Sequence, residues 1–179
     1  MSASPFDITG ARALVTGSSQ GIGKALARAL VEAGAEVVLN ARRPEPLEAA
    51  RAELAALGSG PVRAVAFDVT DEADVARPAI APYSATKGAV RMLVKGMCAD
   101  LARHGICVNA IAPGYFATEL TQALVADEQF TSWVETRTPA GRWGQVADLA
   151  GTLLWLASPA SDFVNGQTIF VDGGMTAVL

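Results

Sequence analysis

With 179 residues, the chain is long enough for one domain with a sizeable core, and 51% hydrophobic against 18% charged residues argues against disorder. A formal net charge of −4, a pI near 5.0 and no basic stretch argue against a nucleic-acid partner. Residues 1–10 lack the charged start and apolar run of a signal peptide, and no apolar run approaches the ~18–20 residues that span a bilayer. Cys98 and Cys107 are the only cysteines, and no Cys/His cluster has metal-ligand spacing. They are expected to be reduced and buried in a cytoplasmic protein that holds no metal.

Residues 11–16 read as a short buried strand that ends in a glycine-rich turn. A helix follows, with Ile22, Leu26, Ala29, Leu30 and Ala33 at helical spacing and Gly34 as its stop. Residues 36–40 form the next strand, apolar as a strand covered on both faces is. Pro44 opens a second helix with Leu47, Ala50, Leu54 and Leu57 on its buried side. Gly58 to Pro61 breaks that helix, and residues 62–67 form a third strand. This β-α-β-α-β run is one mononucleotide-binding half of a doubly wound sheet, with expected spatial order 3-2-1.

The rhythm then breaks. Asp71, Glu72 and Asp74 suit the first turn of a third helix, but Pro78 and Pro82 stop it, and no fourth strand appears. A long amphipathic helix is predicted over 83–103, with Val90, Leu93, Val94, Met97 and Leu101 as its apolar stripe and Gly105 as its cap. Residues 106–112 read as a buried strand ended by Pro113-Gly114, and 115–144 as irregular with short helices. A helix over 145–157 and a last strand over 168–171 complete the chain as a single domain, residues 1–179.

Three groups of residues carry chemistry. Thr16-Gly17-Ser18-Ser19-Gln20-Gly21-Ile22-Gly23 joins a strand to a helix, where backbone N–H groups and the positive helix end suit a pyrophosphate. Gly17 serves the tight turn, Gly21 close backbone approach and Gly23 helix packing. Asn40 ends the second strand with no carboxylate there to repel a phosphate, and Arg42 can grip a 2′-phosphate, which favours NADP while leaving NAD open. The other reading of Arg42 and Arg43 is ordinary surface charge. Asp68 fits either an adenine contact or a helix cap. Tyr83 and Lys87, four apart, share one helical face, and the ammonium favours the phenolate of an acid–base tyrosine. His104 suits the C-terminal end of its helix rather than catalysis.

Together the glycine turn, Tyr83-Ser-Ala-Thr-Lys87 and Val108-Asn-Ala-Ile-Ala-Pro-Gly114 resemble the short-chain dehydrogenase/reductase family. Within it, residues 76–83, 112–120 and 163–175 look most like the gluconate 5-dehydrogenases, and they share much with 3-oxoacyl-carrier-protein reductases. The resemblance implies an α/β, Rossmann-like doubly wound parallel sheet and a cytoplasmic homo-oligomer. It implies an NADP-dependent exchange between a carbonyl and a secondary alcohol on a sugar acid. Tyr83 is then the acid–base, and Lys87 holds the nicotinamide ribose. Pro113, Gly114 and Thr118 lie beside the carboxamide, Asp68 and Val69 border the adenine, and Gly17, Ser19, Gln20, Gly21, Ile22, Gly23, Asn40 and Arg42 bind the rest of the dinucleotide.

One departure is large. Family members carry an Asn-Asn-Ala-Gly strand and a catalytic-serine strand before the tyrosine, and neither is found here. The seam lies near Val75 and Ala76, so two central strands are missing. Either the first strand then pairs with the 106–112 strand, or the sheet splits. Without the serine, a catalytically silent dinucleotide-binding or interaction module is the competing reading.

Overall fold

The computed structural model describes residues 4–58, 60–66 and 80–178, with 80–86 described as backbone only. Asp68, Val69 and the seam at Val75 and Ala76 lie outside the described residues. In chain order the elements are β1 (Arg12–Val15), α1 (Gly21–Glu32), β2 (Glu36–Ala41), α2 (Pro44–Ala55), β3 (Val62–Ala66) and α3 (Ile80–Leu101). Then come β4 (Ala110–Pro113), β5 (Phe116–Ala117), α4 (Gln122–Val125), α5 (Glu128–Arg137), β6 (Gly144–Gln145), α6 (Ala150–Leu156) and β7 (Thr168–Val171).

The first half forms as its apolar pattern dictates. β1, β2 and β3 pair in parallel, with β2 in the middle, so the 3-2-1 order holds. Val37 and Leu39 of β2 point to one face, where they bury against Leu30 and Val31 of α1 and Leu47 and Leu54 of α2. Leu153 and Leu154 of α6 pack onto the same cluster and attach the C-terminal half to α1. Lys24 Nζ reaches Glu53 Oε2 at 2.6 Å and ties α1 to α2 across their exposed sides.

The second half does not continue that sheet. β4 pairs in parallel with β7, and β5 pairs with β6, so the described strands fall into three separate sheets. Among the described residues no strand lies between β1 and β4. Of the two expected outcomes, the described strands follow the second: the sheet is split between β1 and β4. On the face of β1–β3 opposite α1 and α2, Leu14 is 60% and Val65 49% exposed.

Several sequence expectations are corrected. Pro82 lies inside α3, not beyond its start, because the first-turn N–H groups have no intrahelical partner to lose. The α3 stripe is largely uncovered: Val90, Leu93 and Met97 are exposed and Val94 is buried. Periodicity marks a face as apolar but does not supply the layer that would cover it. Residues 106–109 precede β4 without strand pairing, and the helix expected over 145–157 is a 3-10 turn, Val146–Leu149, leading into α6. Cys107 is exposed and Cys98 only half-buried, so neither is a core cysteine. No described helix is long and apolar enough to cross a membrane.

The end of the chain is latched by Asp172, which accepts hydrogen bonds from the amides of Gly174 and Thr176 and from the Thr176 hydroxyl at 2.6 Å. The Thr176 hydrogen bonds hold the Asp172 carboxyl below the usual carboxylate range. A lowered folded pKa stabilises above the unfolded value and is lost as pH falls through the folded one. The Thr176 amide should thus lose hydrogen-exchange protection on acidification, before the core of β2 does. A second outcome follows from the open sheet face. Leu14→Lys should change stability to chemical denaturation by less than about 0.5 kcal/mol, as surface substitutions do. A loss of several kcal/mol would show that this face is covered in solution.

Candidate active site

The glycine turn is a tight piece of backbone. Gly17 has φ +63° and Gly21 φ +57°, both in the left-handed region that side chains rarely adopt. Gly23 packs so closely on the turn that a Cβ there would sit 2.3 Å from the Gly17 carbonyl oxygen. Gln20 precedes α1 without a capping side-chain hydrogen bond, and the first turn of α1 has no acidic residue. The first N–H groups of α1 are thus left for an external acceptor, which suits a phosphate.

Ser18 was not singled out by the sequence, yet it holds the turn in place. It has no exposed surface, its Oγ accepts from Asn40 N at 3.0 Å, and its own N–H donates to Asn40 O at 3.0 Å. Asn40 in turn is 1% exposed and gives its side-chain amide to Val65 O at 3.0 Å. This gives Asn40 a structural task, tying β2 to β3, in addition to its place at the strand end. Arg42 follows β2 directly and is exposed. Ser19 and Gln20 lie in the turn itself, and Ile22 in the first turn of α1.

The remaining predicted residues come from the second half. Tyr83 and Lys87 both lie on α3, one turn apart on the backbone, and Lys87 is exposed. The side chain of Tyr83 lies outside the described residues. α3 rests near the end of the second half: the Arg91 guanidinium lies 6.0 Å from the Phe170 ring centroid of β7. At the end of β4, Pro113 pairs with Val171, and Gly114 donates to Val171 O at 3.1 Å. A Cβ on Gly114 would meet Asp172 at 2.8 Å, so this close crossing requires glycine.

Thr118 is held by its own small turn, its N–H donating to Thr121 Oγ1 at 2.9 Å while the Thr121 hydroxyl donates to Phe116 O at 2.7 Å. Gly21 and Thr118 meet in one cleft of about 430 Å³, which also takes in Glu119, Gln122, Val125 and Val146. The structure therefore brings together the helix start and the loop after β5, two parts of the expected site that are far apart in sequence. Elsewhere in the second half, Tyr115 packs edge-on against Phe130, Trp133 and Trp143. Among the described residues no cluster of His, Cys, Asp or Glu is placed to hold a metal ion.

Comparison with known proteins gives this arrangement its family. The family described as "short chain dehydrogenase" matches residues 11–78, and that described as "Enoyl-(Acyl carrier protein) reductase" matches residues 73–176. The Gluconate 5-dehydrogenase of Gluconobacter oxydans is 41% identical over 251 residues, covering 97% of this chain and 98% of that protein. The chain belongs to the short-chain dehydrogenase/reductase family. The 251 aligned residues exceed the 179 present, so that alignment needs gaps on this chain's side. The two family matches meet at residues 73–78, where the sequence places the expected seam near Val75 and Ala76.

Other short-chain dehydrogenase/reductase relatives align over one segment. The 5-keto-D-gluconate 5-reductase of Escherichia coli K12 is 60% identical over 104 residues, which is 58% of this chain but 41% of that protein. Among solved structures, a gluconate 5-dehydrogenase from Burkholderia cenocepacia in complex with NADP and tartrate superposes with TM-score 0.89 at 39% identity, covering 98% of both chains. A gluconate dehydrogenase-like protein from Agrobacterium tumefaciens gives TM-score 0.91 at 33% identity, covering 99% of this chain and 100% of that one.

The glycine geometry makes a prediction with a sign. Gly23→Ala forces a Cβ into the Gly17 carbonyl and should destabilise by about 1–3 kcal/mol, as overpacking does. Gly88→Ala in α3 meets nothing within 4 Å and should be neutral or stabilise by up to about 1 kcal/mol through helix propensity. Denaturant titration of the two variants checks both.

Proposed function

We propose that this chain binds NADP and has the site plan of a sugar-acid oxidoreductase, with gluconate and 5-ketogluconate as the substrate pair. The observation that carries the reading is 41% identity to a gluconate 5-dehydrogenase across 98% of that protein, with the glycine turn intact at the start of α1. The residues present fit a dinucleotide. The Gly23-on-Gly17 contact and the uncapped first turn of α1 leave backbone N–H groups for a pyrophosphate. Arg42, just past β2, is assigned the 2′-phosphate, Asp68 and Val69 the adenine edge, and Pro113, Gly114 and Thr118 the carboxamide end.

A bound nicotinamide supplies or accepts a hydride. The chain's own part is the proton. Tyr83 gives a proton to the ketone oxygen in reduction and takes it from the hydroxyl in oxidation. Lys87, one turn along α3, favours the phenolate and holds the ribose. As in the wider family, the working unit is proposed to be a cytoplasmic homo-oligomer.

A second reading, a catalytically silent dinucleotide-binding module, is favoured by one specific observation: β1 and β4 belong to different sheets. The strands that would join them carry the substrate-orienting serine in the family. Loss of one preorganised donor costs on the order of 10²–10³ in turnover. The enzyme reading therefore expects slow NADPH-dependent reduction of 5-ketogluconate, abolished in Tyr83→Phe and lowered by about 10²-fold or more in Lys87→Ala. NADPH binding with no turnover, or turnover unchanged in Tyr83→Phe, would establish the silent module instead. Arg42→Ala should weaken NADPH binding and leave NADH binding unaltered. Equal loss for both cofactors would remove Arg42 from the 2′-phosphate site.

A further inference from the structure

The loop between β5 and α4 brings a negative charge to the helix start that should receive the pyrophosphate. Glu119 lies in the cleft with Gly21 and Thr118, and a Cβ built on Gly21 would lie 3.7 Å from Glu119 Oε2. The carboxylate has no ion-pair or hydrogen-bond partner among the described residues. It therefore faces the start of α1 as an unneutralised anion. α1 has twelve residues, no acidic residue in its first turn and no side-chain cap at Gln20. A helix end of this kind favours a negative charge from whatever source supplies one. Here the source is the chain itself, on a loop far from the helix in sequence.

We propose that Glu119 competes with the dinucleotide pyrophosphate for the start of α1, so that cofactor binding and outward movement of the loop after β5 are one event. The proposal rests on the dinucleotide reading above and adds a regulatory element to that site. Two anions cannot share one helix end without strong repulsion. The pyrophosphate, with more charge and several backbone donors to reach, displaces a single carboxylate. Thr118 and the Thr121 hydroxyl hold the loop in its own turn, so the loop moves as a unit. Because Thr118 belongs to the same loop, that movement also repositions a residue assigned to the carboxamide end. Glu119 thereby couples occupancy at the phosphate end to arrangement at the reacting end.

The test uses the intact chain and its Glu119→Gln variant, titrated calorimetrically with NADPH and separately with inorganic pyrophosphate. Glu119 is exposed, so the substitution leaves the core untouched. Glu135→Gln, an exposed position on α5, makes the same change in net charge away from the cleft and serves as the control. Glu119→Gln should bind both ligands roughly three- to tenfold more tightly at low ionic strength. The advantage should shrink as salt screens the repulsion. Equal affinity in Glu119→Gln and wild type, or an equal gain in Glu135→Gln, would overturn the competition while leaving the dinucleotide reading standing. Failure of all three proteins to bind NADPH, with cooperative unfolding intact, would overturn the dinucleotide reading and the competition with it.

Discussion

A hydroxyl with no access to water must find its partners inside the protein. Ser18 finds both in Asn40, and the glycine turn is thereby fastened to the end of β2. Asn40 passes the constraint on to β3 through its amide on Val65 O. Three strand ends are thus held level by one buried hydroxyl and one buried carboxamide. In a parallel sheet this is the edge where ligands bind, because the helix starts point there. The open N–H groups of α1 and the exposed Arg42 are presented together only while this tie holds. Gly23 then closes the helix onto the turn at a distance that no other residue allows.

The rest of the molecule is organised around what that half can and cannot hold. α6 packs Leu153 and Leu154 on the core shared by α1, α2 and β2, so the C-terminal half is anchored through helices. Among the described residues it is not anchored through the sheet, since β4 takes β7 as its partner and β1 takes β2. The consequence is visible as exposed apolar surface on the open face of β1 and β3 and along α3. In energetic terms, that surface forgoes about 25 cal/mol per Å² that a covering layer would contribute. Among the described residues, no strand joins the part of the fold that carries the tyrosine helix to the glycine-turn half.

The sequence made the first half readable because each signal there is local. Apolar runs bounded by Gly34, Pro44 and Gly58 define β1 to β3, and short connections between parallel strands leave little choice of order. The glycines of the turn were legible for the same reason. Ser18 was hidden in plain view: a small hydroxyl in a Gly-rich turn reads as permissive, and its task appears only once β2 lies beside it. Glu119 was not legible at all, since nothing near it in sequence hints that its loop folds back on α1. The stripe of α3 was read correctly as apolar but not as uncovered, because periodicity reports which side of a helix is apolar and not what faces it. Pro82 misled for a chemical reason, since a missing N–H matters within a helix and not in its first turn.

The phosphate site proposed at the start of α1 must assemble even though the described sheet is split. Backbone amide shifts of the glycine turn, followed by NMR while NADPH is added to the intact chain, address it most directly. Saturable shifts are expected at Ser19, Gln20, Gly21, Ile22 and Gly23, with little change in the β4–β7 pair. A folded chain whose turn amides stay unmoved as NADPH is added would contradict it.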